Sequence, residues 1–378
     1  MKKRHFFFWG LLRPLVSLFL RLKFGYQFKS PKSLPPQYIV LSNHVTDWDP
    51  LFVAVALKKQ MYFVGSEHIA RWKRAYKLLK YVFAPIMRPK GASAMAAVMS
   101  ILRHVKKGAN VCLFPEGVRS WDGRPCPILP STAKLVQKAG VGLVTFRITG
   151  GYFVSPMWSD GLRRGKISGA PVGIYTADEL KNMSEEEIYE IILRDLGENA
   201  YQTQETDPHS YKNKALAEKL EHFLYYCPAC GKEGSLHSAG HGLSCEACGH
   251  KWVFDEYGYL SDETGKQSVS ELADVQAAHI ARAVAEGAVL SVASATVSTV
   301  AEHKEKVLSH GTLTMDGEYI RCGEISVPMA DITEFAMHGK FALVFSAGRD
   351  YYEILPDEKQ NMIRFLLYYN EYSKVKVG

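Results

Sequence analysis

The sequence contains no uninterrupted apolar run long enough to cross a bilayer as a helix. Near the N-terminus two short apolar stretches are separated by Arg13 and Pro14, whereas a spanning helix needs about 20 consecutive apolar residues. The mean hydropathy of −0.12 argues against a polytopic membrane protein. A small-residue cleavage site is also missing, which argues against a secretory signal peptide. A tilted span through residues 6–22 stays open as a second interpretation.

Acidic residues are missing from the start of the chain, where the first acid is Asp47. Residues 1–110 contain 20 lysines and arginines but three acids, and the remainder contains 26 basic and 36 acidic residues. This asymmetry predicts an anionic partner, either a membrane or nucleic acid. Because aromatic and apolar residues lie between basic flanks in residues 1–30, we expect an interfacial helix on an anionic membrane surface. A second basic run, residues 71–80, could contact the bilayer or form a solvated helix face.

The most informative motif is Asn43-His44-Val45-Thr46-Asp47-Trp48-Asp49, which follows a short apolar run. A strand that ends at this motif would deliver its side chains to one end of a sheet, where α/β enzymes keep their sites. A histidine with its second ring nitrogen held by a carboxylate is a standard general base. The motif therefore predicts a catalytic pair, His44 and Asp49, and we expect Asp47 to be solvated. The alternative for His44 taken alone is a hydrogen-bonded structural histidine.

A second block, Phe114-Pro115-Glu116-Gly117-Val118-Arg119-Ser120, follows about seventy residues later. The two blocks in this order resemble the glycerolipid acyltransferase family, in particular the 1-acyl-sn-glycerol-3-phosphate acyltransferases, over about residues 30 to 160. By this resemblance His44 and Asp49 fall on the catalytic pair. Acceptor binding is implied for Arg88, in Ala84-Pro85-Ile86-Met87-Arg88, and for Glu116, Gly117 and Arg119.

The resemblance implies transfer of a fatty acyl group to the free hydroxyl of lysophosphatidate, which makes phosphatidate in phospholipid biosynthesis. His44 would act as general base, and acyl-acyl carrier protein or acyl-coenzyme A would be the co-substrate. A phosphorylated acceptor suits bidentate donors, so Arg88 and Arg119 fit it, with Lys90 as a weaker helper. The sequence departs from the family pattern at Val118 and at Val144-Thr145-Phe146. Another lysophospholipid or glycerol 3-phosphate therefore stays open as the acceptor.

Short apolar runs alternate with helical patterns between residues 38 and 148, which predicts an α/β domain with a mixed or parallel sheet flanked by helices. We expect strands at 38–41, 61–64, 111–114 and 141–148, and helices at 50–58, 68–82, 92–107 and 130–139. The acyltransferase domain is predicted to cover residues 31–210, with 150–210 as an appendage. Within it, Thr176 to Glu179 and Ser184 to Glu187 are typical of capping boxes that open helices.

Four cysteines form two Cys-x2-Cys pairs, Cys227 with Cys230 and Cys245 with Cys248. Four thiolates at this spacing suit tetrahedral zinc, so residues 222–256 resemble a zinc ribbon with a structural ion. Two disulfides are the alternative. An enzyme that meets cytosolic acyl donors would, however, lie in a reducing compartment, which places it at the cytoplasmic face of the cell membrane, bound peripherally or monotopically.

Residues 287–376 contain short β-branched or alternating runs followed by a final helical pattern. Antiparallel strands capped by one C-terminal helix resemble a pleckstrin-homology-like module, a likeness of fold from which no function follows. Two other classes of protein compete with the enzyme. One is a zinc-ribbon nucleic-acid-binding protein, against which the ribbon segment is not markedly basic. The other is a scaffold protein, against which the His44 and Asp49 motif is intact.

Overall fold

A computed structural model describes residues 3–66, 81, 85–88, 94–301, 304–348 and 350–377. The chain forms two compact units. The first comprises Met1–Met157 and Gly161–Asn213, and the second comprises Trp158–Asp160 and Lys214–Gly378. The basic run 71–80 and Lys90 lie outside the described residues, as does the predicted helix 68–82 apart from Tyr81.

The first unit is built on a seven-stranded mixed sheet. Its strands are β1 (Gln27–Phe28), β2 (Tyr38–Ser42), β3 (Tyr62–Ser66), β4 (Ile86–Arg88), β5 (Val111–Leu113), β6 (Gly142–Thr149) and β7 (Ser168–Tyr175). They lie in the order β1-β7-β6-β2-β5-β3-β4, and each neighbouring pair is parallel except β6 and β7. Every residue of β2 is buried, as a continuous apolar run in a central parallel strand predicts. The predicted α/β class is confirmed.

Helices pack around this sheet. They are α1 (Lys3–Phe24), α2 (Asp49–Leu57), α3 (Ala94–Lys106), α4 (Ser131–Ala139), α5 (Gly151–Val154), α6 (Ala177–Lys181), α7 (Glu185–Leu196) and α8 (Ala200–Thr206). The predicted capping boxes are present: Thr176 and Glu179 open α6, and Ser184 and Glu187 open α7. Buried apolar residues of α3, α4 and α7 join those of the sheet in one core cluster.

The expectation that residues 150–210 form an appendage is wrong in part, because β7 belongs to the sheet. It pairs with β6 from Leu143 opposite Tyr175 to Thr149 opposite Ser168. Most side chains of β7 are only partly buried or exposed. The strand therefore does not require a continuous apolar run, and its sequence contains none. The sequence pattern of a buried strand is therefore absent although the strand is present.

The helix α1 continues through Arg13 and Pro14, the two residues that interrupt its apolar sequence. One side is buried near both ends, at His5, Trp9, Leu20 and Phe24, and residues 10–19 between them are partly buried or exposed. The opposite side exposes large apolar side chains: Phe7, Leu11, Leu15, Leu18 and Leu22. Among the described residues, His5–Phe24 is the one helical segment whose length and apolar composition would allow it to cross a membrane.

The second unit contains two antiparallel sheets. The first has five strands: β8 (Leu236–Ala239), β9 (Gly242–Cys245), β10 (Lys251–Phe254), β11 (Tyr259–Asp262) and β12 (Gly265–Ser268). The second has seven strands: β13 (Leu290–Ala301), β14 (Lys304–Met315), β15 (Tyr319–Cys322), β16 (Ile325–Pro328), β17 (Ile332–His338), β18 (Ala342–Ala347) and β19 (Asp350–Pro356). Two longer helices complete the unit, α9 (Val269–Ala285) and α10 (Ile363–Val377), with 3-10 turns at Leu220–His222 and Met329–Asp331.

Trp158–Asp160 belong to the second unit although their chain neighbours on both sides belong to the first. Trp158 is fully buried, and its ring lies 5.8 Å from that of Phe254. Asp160 pairs with Lys340 at 2.5 Å, and this contact holds the pKa of its carboxyl below the ordinary value. The assignments of 222–256 and 287–376 to a zinc ribbon and a pleckstrin-homology-like module stay predictions.

Candidate active site

The loops that follow three of the strands lie at one edge of the first sheet. The strands β2, β5 and β6 are parallel neighbours, so their carboxyl ends meet at the same edge. The loop after β2 carries the His44 motif, the loop after β5 carries the Glu116 motif, and β6 leads into Gly150 and Gly151. The two sequence blocks are therefore brought together.

His44 and Asp49 form a hydrogen-bonded pair. His44 Nδ1 lies 2.7 Å from Asp49 Oδ2. The imidazole stacks on the Phe114 ring at 4.8 Å between centroids, and the side chain of His44 stays 23% exposed while that of Asp49 is fully buried. Because the carboxylate holds Nδ1, the ring presents Nε2 as the nitrogen that can exchange a proton with a substrate.

Further donors surround the Asp49 carboxylate. Its Oδ2 accepts the Val45 N–H at 2.7 Å, and both oxygens accept the Thr46 N–H at 3.0 Å. The Thr46 hydroxyl donates to Oδ1 at 2.7 Å. Asp49 also stands in the first turn of α2, where the helix dipole favours a negative charge. By contrast, the Asp47 side chain is 71% exposed.

Glu116 ties the second motif to the first. Its Oε1 accepts the His44 N–H at 3.1 Å, and its Oε2 accepts the Cys126 N–H at 3.0 Å. Burial raises the pKa of Glu116 to about 7, although both N–H groups and the nearby His44 lower it. The carboxyl group thus fixes the backbone of His44.

Gly117 and Arg119 complete the second motif. Gly117 has a φ of +70° in the turn closed by its N–H to the Phe114 carbonyl, a conformation that favours glycine. Arg119 donates from Nε to the Val45 carbonyl at 3.1 Å and from Nη2 to the Ser155 carbonyl at 2.5 Å. The hydrogen bonds described here for Glu116 and Arg119 are therefore to other groups of the same protein.

A small, open cavity adjoins this pair. Its walls come from all three loops and from the segment that precedes α8: Asn43, His44, Val45, Glu116, Ser120, Gly123, Arg124, Pro125, Gly150, Gly151, Tyr152, Glu198 and Ala200. Burial raises the pKa of Glu198 to about 7, against a hydrogen bond from the Thr203 hydroxyl.

Several cavity residues were not predicted from the sequence. Asn43 bonds both its amide groups to the backbone of Ile148 at 2.8 Å and so joins the ends of β2 and β6. Gly151 packs so closely that a Cβ there would lie 2.4 Å from Val45 Cγ2. Gly150 and Gly151, which follow a predicted strand, could have indicated a cavity wall from the sequence. Nothing in the sequence around Arg124 or Glu198 indicates that they line the cavity.

Arg88 ends β4, which pairs with β3 in the parallel part of the sheet. Its backbone thus reaches the carboxyl edge of the sheet, and its side chain lies outside what the structure describes. Its predicted contact with the acceptor stays a prediction, as do the roles of Glu116, Gly117 and Arg119.

The four predicted cysteines gather at one point of the second unit. The sulfur atoms of Cys227, Cys230, Cys245 and Cys248 all lie within 4.8 Å of one another. Two Sγ pairs are 3.9 and 3.7 Å apart, close to the roughly 3.8 Å edge of a tetrahedron with Zn–S bonds of about 2.3 Å. Gly231 and Gly249, with φ of +74° and +75°, donate to the carbonyls of Cys227 and Cys245 and close both knuckles. The cluster fits one tetrahedral ion.

Part of the first unit is similar in sequence to known acyltransferases. Residues 26–149 match the family model described as Acyltransferase. The chain is 35% identical over 129 residues to a chloroplastic 1-acyl-sn-glycerol-3-phosphate acyltransferase of Brassica napus, covering 33% of this chain and 36% of the relative. It is 28% identical over 161 residues to a chloroplastic protein of the same description in Arabidopsis thaliana, covering 40% and 44%.

A solved structure also resembles the chain. It is the crystal structure of the 1-acyl-sn-glycerophosphate (LPA) acyltransferase PlsC from Thermotoga maritima, with a TM-score of 0.40 and 18% identity over 50% of this chain and 78% of that one. This chain spans less than half of the length of the two plant relatives. The matched family segment includes both sequence motifs and ends before the cysteine cluster.

Proposed function

Because residues 26–149 carry an acyltransferase domain, we propose that this protein transfers a fatty acyl group to the free hydroxyl of lysophosphatidate and makes phosphatidate. The observation that carries the proposal is the 2.7 Å contact between His44 Nδ1 and Asp49 at the wall of the cavity. The names of the two plant relatives, 1-acyl-sn-glycerol-3-phosphate acyltransferases, support lysophosphatidate as the acceptor, and we propose that the reaction belongs to phospholipid biosynthesis.

In the proposed reaction His44 Nε2 removes the proton of the acceptor hydroxyl, and the oxygen attacks the thioester carbonyl of the acyl donor. Asp49 holds the tautomer that leaves Nε2 basic and stabilises the imidazolium that forms. The tetrahedral intermediate collapses and breaks the carbon–sulfur bond, and the departing thiolate takes the proton back from the imidazolium. The product is the ester. The donor would be acyl-acyl carrier protein or acyl-coenzyme A.

We propose that the acceptor is framed by the residues that the resemblance assigns, Arg88, Glu116, Gly117 and Arg119. The contacts of Glu116 and Arg119 support a role in shaping the loop around the acceptor. Arg88 stands at the carboxyl end of its strand, on the edge that carries His44.

We propose a structural zinc ion at Cys227, Cys230, Cys245 and Cys248. An ion with four thiolate ligands has no open coordination position, so it would join the two knuckles and supply no catalysis. The sulfur distances and the close turns at Gly231 and Gly249 support this assignment.

We propose that α1 lies in the interface of an anionic membrane at the cytoplasmic face. Its buried residues lie near the two ends, His5 and Trp9 at one and Leu20 and Phe24 at the other, which supports a helix that rests on its own unit at both ends. This leaves one apolar side, with Leu11 and Leu15, for the acyl region of the lipid.

Sedimentation with anionic vesicles tests the membrane proposal. Leu11→Asp with Leu15→Asp should release the protein, whereas Leu355→Asp, at a 51% exposed leucine of the second unit, should not. Point substitutions are preferable to deletion of α1, because deletion would uncover Phe52 beneath Phe24. Full sedimentation of the double variant would refute the role of this side of α1.

Acyl transfer by the purified protein on anionic liposomes tests the main proposal. Lysophosphatidate, glycerol 3-phosphate and neutral lysolipids are offered with each donor. Turnover of lysophosphatidate that disappears in His44→Ala supports the proposal. Turnover of a different acceptor would reassign the substrate, and turnover that survives His44→Ala would refute the mechanism.

A further inference from the structure

The first knuckle, residues 225–234, is a closed loop of the second unit that carries Cys227 and Cys230. Its two ends meet, because the Gly234 N–H donates to the Tyr225 carbonyl at 2.7 Å. Metal binding by both thiolates would cross-link the same loop at a second point. Closure of the knuckle and occupancy of the cysteine cluster are therefore linked.

One helix holds the start of this knuckle. Gln276 of α9 is 1% exposed, and its Oε1 accepts the N–H groups of Tyr225 and Tyr226 at 2.8 and 3.2 Å. Its Nε2 donates to the Phe223 carbonyl at 3.2 Å. The Tyr226 ring also stacks on His279 of the same helix, with the ring centroids 4.2 Å apart. Since the main chain uses both ends of the Gln276 amide, the knuckle and α9 are fixed in one register.

The other end of the knuckle contacts two helices through one carboxylate. Glu233 Oε1 lies 2.7 Å from His279 Nε2 on α9, and it accepts the Tyr368 hydroxyl of α10 at 2.9 Å. Tyr368 is 1% exposed and belongs to the apolar core that the seven-stranded sheet shares with α9 and α10. Tyr225 lies in the same core. The first knuckle is therefore bonded to both helices that pack on that sheet.

These bonds depend on the shape of the knuckle. A knuckle that opens withdraws two backbone N–H groups from Gln276 and leaves its amide unpaired in a buried setting, which costs free energy. It also withdraws Glu233 from His279 and Tyr368 together. Because one event breaks all of these bonds, opening of the knuckle and release of the helices should occur as one cooperative step.

We infer that the four thiolates act as a metal-dependent latch: when they bind an ion, the first knuckle stays closed, and Gln276 and Glu233 hold α9 and α10 on the seven-stranded sheet. The inference rests on the proposed zinc site and goes beyond it, because it makes the order of two distant helices depend on the supply of metal. By thermodynamic linkage, docking of the helices must in turn raise the affinity of the cluster for the ion.

Amide hydrogen exchange of the full chain, with and without a chelator under reducing conditions, tests the latch. Removal of the ion should speed exchange about tenfold or more in α9 and α10. Exchange in α7, which belongs to the first unit, should not change and is the internal control. Faster exchange that is confined to residues 225–254, with both helices as protected as before, would overturn the inference.

Side chains that are not ligands supply a second test. Tyr368→Phe removes the hydroxyl that Glu233 accepts and should weaken zinc binding about fivefold, measured by competition with a chelator. Gln276→Ala should weaken it further, and Tyr368→Phe decides alone if that variant fails to fold. Tyr372→Phe is the matched control, because its hydroxyl on the same helix bonds the Ala288 carbonyl instead of the knuckle. Wild-type zinc affinity in Tyr368→Phe and Gln276→Ala would contradict the linkage.

Metal analysis separates failure of the latch from failure of the zinc site. A chain that binds about one zinc ion, yet protects both helices equally after its removal, refutes the latch alone. A chain that binds no zinc under reducing conditions and still protects both helices refutes the zinc site and the latch together. Protection that appears only when zinc is added supports both. The proposed acyl transfer is independent of these results, because all the residues of the latch belong to the second unit.

Discussion

The carboxylate of Glu116 accepts the backbone N–H of His44 at 3.1 Å, across 72 positions of sequence. The same carboxylate accepts the Cys126 N–H. The second motif therefore holds the main chain of His44, while Asp49 holds its ring. Two acids thus fix the backbone and the side chain of one residue from different loops.

Asp49→Asn should lower kcat by about a thousandfold or more. Asp49 accepts hydrogen bonds from the N–H groups of Val45 and Thr46, from the Thr46 hydroxyl and from His44. An asparagine amide would place a donor against one of these donors and favour the wrong tautomer of the imidazole. Steady-state kinetics with the proposed substrates measures the loss.

The matched control is Asp47→Asn, at a side chain that is 71% exposed. It should change kcat by less than about threefold, as surface substitutions usually do. Equal losses in the two variants would mean that the pairing of His44 with Asp49 has no special role.

Glu198→Gln should stabilise the protein at alkaline pH relative to the wild type. The pKa of Glu198 is raised from 4.5 to about 7 by burial. Its contribution to stability is therefore fully present below pH 4.5 and is lost as the pH rises through about 7, which costs on the order of 3 kcal/mol. Glutamine never ionises, and its carbonyl can still accept from Thr203.

Unfolding of both proteins at pH 5 and pH 8 measures this effect. The variant should gain free energy of unfolding over the wild type between the two values. In Glu190→Gln, at an exposed position of α7, the difference from wild type should not change with pH. If the difference in unfolding free energy between Glu198→Gln and the wild type did not change with pH, the pKa of the Glu198 carboxyl would not be raised in the folded protein.

Gly151→Ala should lower activity sharply while the fold persists. The new methyl group would lie 2.4 Å from Val45 Cγ2, so the loop that carries His44 and Asp49 must move. A second substitution, Val45→Ala, removes the clashing methyl groups and should restore part of the rate. Gly10→Ala, where nothing lies within 4 Å of the added carbon, should be neutral. Failure of the double variant to recover would place the defect elsewhere.

Ser235→Ala should weaken metal binding by about ten- to a hundredfold without removing a ligand. The Ser235 hydroxyl lies 3.2 Å from Cys245 Sγ and can donate to the thiolate. Metal analysis of the purified chain should find about one zinc ion, and competition with a chelator should extract it faster from the variant. Ser244→Ala, next to Cys245 on β9 and with its hydroxyl bonded to the His237 carbonyl, is the matched control.

The contact between His44 and Asp49 was predictable because the determining signal is local. His44 and Asp49 are five positions apart, and a buried apolar run before them indicated both the strand and its exit edge. The cysteine cluster was predictable for the same reason, since each knuckle specifies its own turn. The partners of these residues were not predictable, because Glu116 reaches His44 through the pairing of β2 with β5.

The missed elements are those with weak patterns. The strand β7 contains two glycines and a proline and buries few side chains, so its sequence does not resemble a strand. The cavity residue Glu198 stands between two helices, in a segment whose polar sequence is typical of a surface loop. Only the packing of the chain turns that position into a buried acid.

The assignment of Trp158–Asp160 to the second unit has a consequence for how the polypeptide can be divided. A protease cut after Asn213 would not yield two complete pieces, because three residues of the C-terminal unit would remain attached to the N-terminal fragment. The indole of Trp158 would lose its place beside Phe254. A protein truncated at this boundary should therefore expose apolar surface and be poorly soluble. The two units are better studied by point substitutions in the full chain than by truncation.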